Sequence, residues 1–229
     1  LVHVFTKKGY KSLKAEDDSI KYYSLSGSKN SHPKKGVSYS KILGNTLIDI
    51  ADLNKNFKCV TAAMDIGTGI KDFCDKYQDR YIDVGIAEPH AITYASGLST
   101  QGILPIVPIY STFMQRAYDN IMHDVLLQKL PIVLCMDRAG LVGADGPTHH
   151  GIFDISMLNS LPGIIITAPK DGNELRDLIY TGIISNKPFS VRYPKENCEA
   201  YDVNQLPSKI NIGEWEYLSN GSEIAILAV

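Results

Sequence analysis

The sequence predicts an α/β fold in which a parallel sheet carries helices on both faces. Short apolar runs alternate with segments of helical periodicity along most of the chain. Runs such as residues 131–136 are apolar throughout, rather than alternately apolar and polar, so both of their faces should be buried. Buried strands separated by helices are typical of a parallel sheet.

The spacing of apolar residues defines the elements in order. Ile42, Leu43, Leu47 and Ile50 recur at helical spacing, which predicts a first helix over residues 38–54 and then a short strand ending at residue 60. The later helices are predicted over residues 72–76, 88–100, 113–128, 155–159 and 174–184. The later strands are predicted over residues 81–84, 104–109, 132–136, 164–167 and 189–191.

Composition restricts the possible functions. The 229 residues are 44% hydrophobic and carry a net charge of -2, which favours a globular protein and gives no reason to expect nucleic-acid or membrane binding. The four cysteines show no C-x-x-C spacing, so buried free thiols are a better interpretation than a disulfide framework or a zinc site. The sequence also lacks a G-x-G-x-x-G, a P-loop and a G-x-S-x-G motif.

Two polar loops follow predicted strands. Glu88 comes after the apolar run 81–87, and residues 137–151 follow the strand over 132–136. Because ligands bind at the carboxyl ends of strands in open α/β sheets, both loops should lie at one functional edge. A carboxylate at a buried strand end should also have a raised proton affinity. The simpler alternative for Glu88 is an acidic residue that stabilises a helix N-terminus.

Four segments carry a family resemblance. They are DVGIAE (83–88), YSTFMQRAYD (110–119), DRAGLVGADGPTH (137–149) and VRYP (191–194). Together they resemble the 1-deoxy-D-xylulose-5-phosphate synthase family, within the transketolase-like thiamine diphosphate enzymes. The resemblance implies a thiamine diphosphate-binding fold and a fragment of a larger three-domain enzyme.

The resemblance also implies a domain organisation. Residues 1–6 would end the diphosphate-binding domain, residues 38–200 would form the pyrimidine-binding domain, and residues 201–229 would connect to the first strand of a C-terminal domain. Residues 7–37 are rich in Lys, Ser, Tyr, Asn and Gly and lack an apolar period, so they are predicted to be an interdomain linker. Strands are expected at both chain ends, over residues 1–6 and 223–229.

Three residues are implied to bind the cofactor. Glu88 would hydrogen-bond the pyrimidine ring of thiamine diphosphate and act in catalysis. Phe113 would stack near that ring, although the residue spacing fits a core aromatic equally well. Arg116 would lie near the pyrimidine edge, and its alternative is a helix contact with Asp119 or Asn120.

Five residues are implied to contact the substrates. Tyr110 would offer a hydroxyl, and Asp145 and His149 would bind substrate and assist proton transfer. His150, next to His149, is expected to be exposed. Arg138 and Arg192 would bind the phosphate of the acceptor, because a guanidinium can contact two phosphate oxygens at once.

The implied reaction joins pyruvate and D-glyceraldehyde 3-phosphate to form 1-deoxy-D-xylulose 5-phosphate and carbon dioxide. This would be the first step of the non-mevalonate isoprenoid pathway, and its product would also supply thiamine and pyridoxal synthesis. Mg²⁺ and the diphosphate would bind mainly to an N-terminal domain, with no metal ligand in this chain, and the enzyme would be a homodimer. The Lys, Asn, Ile and Tyr bias favours a plastid-type organelle over a bacterial cytoplasm. The alternatives are a transketolase, a 2-oxo acid dehydrogenase beta subunit, or a non-catalytic α/β interaction module.

Overall fold

The computed structural model describes residues 1–19, 22, 35–214 and 216–227, and the chain divides into two compact units, Leu1–Lys34 and Lys35–Val229. The first unit contains helix α1 (Leu13–Asp17), in which Glu16 forms an ion pair with Lys7 and accepts a hydrogen bond from the Lys11 backbone N–H at 3.0 Å. Part of the predicted linker, residues 20–21 and 23–34, lies outside the described residues.

The second unit contains a six-stranded sheet in which every neighbouring pair is parallel. Its spatial order is β3-β2-β4-β5-β7-β6. The strands are β2 (Phe57–Thr61), β3 (Tyr81–Asp83), β4 (Leu104–Tyr110), β5 (Ile132–Asp137), β6 (Ile165–Thr167) and β7 (Pro188–Arg192). A separate antiparallel pair joins β1 (Val37–Ser38) to β8 (Asn197–Cys198).

Helices cover both faces of this sheet, which confirms the predicted fold class. On one face, α2 (Tyr39–Leu53), α3 (Lys71–Lys76) and α8 (Gly172–Ser185) pack over a core that includes Val133 and Cys135. On the other face, α4 (Glu88–Thr100), α5 (Ser111–Met114), α6 (Tyr118–Asn120) and α7 (Asp154–Asn159) adjoin a core that includes Leu134 and Met136. Successive residues of β5 are therefore buried on opposite faces, as the continuous apolar run predicted.

Side-chain caps fix the starts of the two long helices on the first face. The Ser38 hydroxyl accepts a hydrogen bond from the Lys41 backbone N–H, and the Asp171 carboxylate accepts one from the Glu174 backbone N–H. Each cap satisfies a backbone donor that has no partner within the helix. The helices predicted over residues 38–54 and 174–184 are thereby confirmed as α2 and α8, each within two residues at its ends.

Three predictions about elements were wrong. Residues 1–6 form no strand and are exposed, and residues 223–227 form none either, while residues 228–229 lie outside the described part of the chain. The predicted helix over residues 113–128 is divided into α5, a 3₁₀ turn (Gln115–Ala117), α6 and a π-helical turn (Ile121–Leu126).

One pocket, of about 450 Å³, lies at the edge of the sheet where the strands begin. There the guanidinium of Arg80 donates hydrogen bonds to the backbone oxygens of Phe57, Ala51 and Asn54 at 2.8–3.2 Å and covers the ring of Phe57. Arg80 thus joins β2 to the end of α2, which is a structural role. Within the described residues, no helix is long and apolar enough to cross a membrane.

Candidate functional site

The ends of three neighbouring strands bring the predicted substrate residues to one edge of the sheet. Tyr110 ends β4 and pairs with Asp137 at the end of β5, and Met136 of β5 pairs with Arg192 at the end of β7. Arg138 follows β5 directly and has a left-handed backbone, with φ of 60°. We call this side of the sheet the carboxyl edge.

Glu88 lies at the first position of α4, just after the loop that leaves β3 at this edge. Its side chain is 3% exposed, and its Oε1 accepts a hydrogen bond from Nη1 of Arg116 at 3.0 Å. Arg116 therefore pairs with Glu88 and not with Asp119, whose carboxylate lies 2.9 Å from Nδ1 of His123. A carboxylate this deeply buried, with one guanidinium as its partner, is a candidate for binding a polar ligand.

An aromatic cluster extends from this ion pair. The Arg116 guanidinium lies 4.9 Å from the ring centre of Phe113. Phe113 in turn lies 5.6 Å from Tyr110 and 5.4 Å from His149, measured between ring centres, with an edge contact to the histidine. Phe113 is partly exposed and connects the Glu88–Arg116 pair to the rings of Tyr110 and His149.

Asp145 is held by two cations. Its Oδ2 accepts a hydrogen bond from Nη1 of Arg138 and its Oδ1 accepts one from Nζ of Lys195, each at 2.6 Å. Burial acts to raise the pKa of Asp145, but the Lys195 hydrogen bond and the two positive charges outweigh burial, so the pKa is lowered. The Arg138 guanidinium also covers the Tyr110 ring at 3.9 Å from its centre.

Arg192 has a different partner from the other predicted residues. Its Nε donates a hydrogen bond to Oδ2 of Asp154 at 2.8 Å, and this carboxylate is buried at the first position of α7. A continuous series of contacts links Glu88, Arg116, Phe113, Tyr110 and Arg138. Arg192 lies at the same edge but forms a separate ion pair with Asp154.

The two adjacent histidines differ in their contacts. Nδ1 of His149 is 2.9 Å from the Thr148 hydroxyl, and its ring faces Phe113. Nδ1 of His150 accepts a hydrogen bond from the Val142 backbone N–H at 3.1 Å, and the residue is half-buried. The expectation that His150 is simply exposed was wrong, because this bond closes the loop that carries Asp145.

The sequence interpretation missed several residues that shape the edge. Lys195 and Asp154 hold predicted site residues through ion pairs. Gly67 allows the closest approach of Tyr110, since a Cβ at residue 67 would lie 1.7 Å from the Tyr110 hydroxyl oxygen. Of these residues, only Lys195 could have been identified from the sequence, because it lies three positions after the predicted phosphate-binding residue Arg192. The sequence around Gly67 and Asp154 gives no indication that these residues lie at the carboxyl edge.

Asp137 is a buried acid directly beneath this edge. Both of its carboxylate oxygens, like the Tyr193 and Ser111 hydroxyls, lack a hydrogen-bond partner of good geometry among the described residues. Burial raises the pKa of Asp137 to about 7, and the nearby Ser40 hydroxyl and Arg138 charge offset this shift only in part. The described residues contain no group of three or more His, Cys, Asp or Glu side chains that could hold a metal ion.

Comparison with curated proteins finds relatives that share the whole length of this chain. A 1-deoxy-D-xylulose-5-phosphate synthase of Dehalococcoides mccartyi (strain CBDB1) is 47% identical over 232 residues, and one of Syntrophus aciditrophicus (strain SB) is 44% identical over 237 residues. The chain spans 35% and 36% of the length of these two relatives. Both are bacterial proteins, which gives no support to the predicted plastid localisation.

Solved structures of transketolases share the fold. A split-gene transketolase, an inactive β4 tetramer, aligns with a TM-score of 0.65 at 23% identity over 75% of this chain and 56% of its own. A transketolase of Campylobacter jejuni aligns with a TM-score of 0.64 at 18% identity over 75% of this chain and 28% of its own. At sequence level, residues 35–200 match the model of the transketolase pyrimidine-binding domain, and the chain therefore belongs to that family.

Proposed function

We propose that this chain forms the pyrimidine-binding part of a thiamine diphosphate enzyme that converts pyruvate and D-glyceraldehyde 3-phosphate to 1-deoxy-D-xylulose 5-phosphate and carbon dioxide. The observation that carries the proposal is the buried Glu88 carboxylate, paired with Arg116 beside Phe113. The 44–47% identity to synthases of this name supports the choice over a transketolase, since the aligned transketolase structures are 18–23% identical.

The residues at this edge fit the pyrimidine half of thiamine diphosphate. An aminopyrimidine is a flat polar heterocycle, and it needs a buried carboxylate for its ring nitrogen and an aromatic surface for its face. Glu88 supplies the first and Phe113 the second. Arg116 occupies Oε1 of Glu88, so Oε2 is the atom we assign to the hydrogen bond with the ring nitrogen.

Bound thiamine diphosphate supplies a carbon nucleophile and accepts the electrons released when pyruvate loses carbon dioxide. The protein residues orient the reactants and shift protons around it. Glu88 would place Oε2 against the pyrimidine ring nitrogen, and its burial keeps water away from that contact. His149 and Asp145, which lie on the same loop, would hydrogen-bond the acceptor and assist proton transfer, with the ionised Asp145 acting as an acceptor. Tyr110 would place a hydroxyl beside them.

We assign the acceptor's phosphate to Arg138 and Arg192. The other parts of the proposal concern the whole enzyme, of which this chain would be one part. The relatives are nearly three times as long as this chain, and we propose that the diphosphate and Mg²⁺ bind outside it. A homodimer, the domain boundaries at residues 6, 37 and 200, and a place at the start of isoprenoid synthesis are further parts of this proposal.

The test replaces Glu88 by Gln in the full-length protein and measures carbon dioxide release from pyruvate in the presence of D-glyceraldehyde 3-phosphate. We expect kcat to fall at least about 100-fold, because an amide cannot shift a proton to the ring. The melting temperature should change by only a few degrees, since Gln keeps the shape of the side chain and Arg116 is half-exposed to water.

A matched control is Glu174→Gln, which changes the same residue type in the first turn of α8. It should leave kcat within about twofold of the parent. A Glu88→Gln enzyme that keeps the parent kcat would refute the proposed role. A parent protein that releases no carbon dioxide from pyruvate with this acceptor would refute the proposed reaction.

A further inference from the structure

The charges at the carboxyl edge are nearly balanced in pairs. Arg192 is neutralised by the buried carboxylate of Asp154 at 2.8 Å. Arg138 is neutralised by Asp145 at 2.6 Å, where its side chain is 18% exposed. Neither arginine, taken with its partner, presents net positive charge to an incoming anion.

Lys195 breaks this balance. Its ammonium shares Asp145 with Arg138, donating to the other carboxylate oxygen at 2.6 Å, so two cations meet one anion. The Lys195 side chain is 38% exposed, more than that of either arginine. An ammonium has three N–H donors, and Asp145 takes one of them, which leaves donors for a ligand.

Electrostatics then separates the role of Lys195 from that of the arginines. Without Lys195, the four remaining groups form two neutral ion pairs, which attract a phosphate only through hydrogen-bond geometry. With it, these five groups carry one net positive charge, on an ammonium that solvent and ligand can reach. Uncompensated charge at an accessible edge increases both the affinity for an anion and its rate of encounter.

We propose that Lys195 is a specificity-determining residue that selects a phosphorylated acceptor over its uncharged analogue. The proposal rests on the proposed function for the identity of the acceptor. In this arrangement, Asp145 holds Arg138 and Lys195 side by side, and the phosphate takes the donors that Asp145 does not use.

The experiment uses the full-length enzyme with Lys195→Met, and with Lys195→Arg as the variant that keeps the charge. It measures kcat/KM for D-glyceraldehyde 3-phosphate and for D-glyceraldehyde, both with pyruvate. We expect the ratio of the two values to fall at least about tenfold in Lys195→Met and to stay within about threefold of the parent in Lys195→Arg. The control is Lys187→Met, an exposed lysine just before β7, at the opposite edge of the sheet.

Three results would overturn the proposal. The ratio could stay unchanged in Lys195→Met, it could fall as much in Lys187→Met, or both acceptors could lose kcat/KM equally. Equal loss would mean that Lys195 only positions Asp145, because a purely structural defect affects the charged and the uncharged acceptor alike.

A binding measurement separates this proposal from the proposed function. Inorganic phosphate is titrated into each protein by isothermal titration calorimetry, which needs no turnover. Weaker phosphate binding by Lys195→Met, with unchanged binding by Lys187→Met, supports the role of Lys195 even if the parent fails to use pyruvate. Equal phosphate binding by all variants would contradict it, whatever the activity.

Discussion

At the scale of single residues, Gly67 shows how an absent side chain can position a predicted substrate-binding residue, Tyr110. The Tyr110 hydroxyl occupies the space where a Cβ of residue 67 would be, and Arg138 covers the ring at 3.9 Å from its centre. Tyr110 thus contacts a glycine backbone at its hydroxyl end and a guanidinium over its ring. The sequence motif predicted Tyr110 and Arg138, but a glycine 43 positions before the tyrosine carries no local signal of this contact.

We expect Gly67→Ala to destabilise the protein by about 1–3 kcal/mol, because either the tyrosine or the backbone must move to admit the methyl group. The measurement is the free energy of unfolding in urea. The control is Gly97→Ala, in α4, where an added Cβ meets nothing within 4 Å. That substitution should be neutral or stabilising by up to about 1 kcal/mol, since alanine favours helix. Equal effects of the two substitutions would contradict the proposed contact.

At the scale of elements, the segment after β4 differs most from its prediction. Its apolar residues fit a continuous helix, yet the chain forms a π-helical turn over Ile121–Leu126. Over so short a segment the apolar spacing of a π-turn resembles that of an α-helix, so periodicity could not separate them. The terminal strands failed for a related reason: an apolar run predicts a strand, but a strand also needs a neighbour to pair with.

A polar contact ties this turn to the helix that begins with Glu88. Oδ2 of Asp124 accepts hydrogen bonds from the Thr93 hydroxyl at 2.6 Å and from the Asn120 amide at 3.3 Å. Thr93 belongs to α4, while Asp124 lies in the π-turn and Asn120 directly before it. The contact therefore holds α4 against the segment that carries Arg116.

Replacing Asp124 by Ala should reduce the free energy of unfolding by about 1–2 kcal/mol, since two donors lose their acceptor. Hydrogen exchange should become faster in α4 and in the π-turn, and amide exchange measured by mass spectrometry will show it. The control is Asp119→Ala, an exposed acid one turn earlier. Faster exchange spread evenly over the sheet, or the same change in the Asp119 variant, would argue against a local tie.

At the scale of the whole molecule, the fold class was predictable because strands buried on both faces leave a clear pattern. Buried runs separated by helices permit few arrangements, and β5 shows the reason: its residues face two cores in turn. The partners of the site residues were less predictable. Glu88 with Arg116, Asp145 with Lys195 and Arg192 with Asp154 are 28, 50 and 38 residues apart, so only the folded sheet brings them together.

Asp137 should make the stability of the whole protein depend on pH. The folded state keeps a proton on Asp137 up to a pKa of about 7, while the unfolded chain loses it near the ordinary aspartate value. Between these values the folded state binds more protons, so the free energy of unfolding falls as the pH rises. From pH 5 to pH 8 the loss from this group should be on the order of 2–3 kcal/mol.

Asp137→Asn removes this titration, because an amide does not ionise. Urea unfolding at pH 5 and pH 8 should show that the variant gains stability relative to the parent at the higher pH. Other groups contribute equally to both proteins and cancel in the comparison. A difference between parent and variant that is the same at both pH values would show that Asp137 does not titrate as described.

The strand order also has a consequence for biosynthesis. β6 precedes β7 in the chain, yet β7 lies between β5 and β6 in the sheet. A polypeptide leaving the ribosome therefore cannot dock β6 beside its final neighbour until β7 has emerged and inserted. Arg192 and Lys195 arrive with that last insertion, so a chain that stalls before β7 contains Glu88 and Arg138 but lacks these two cations of the carboxyl edge.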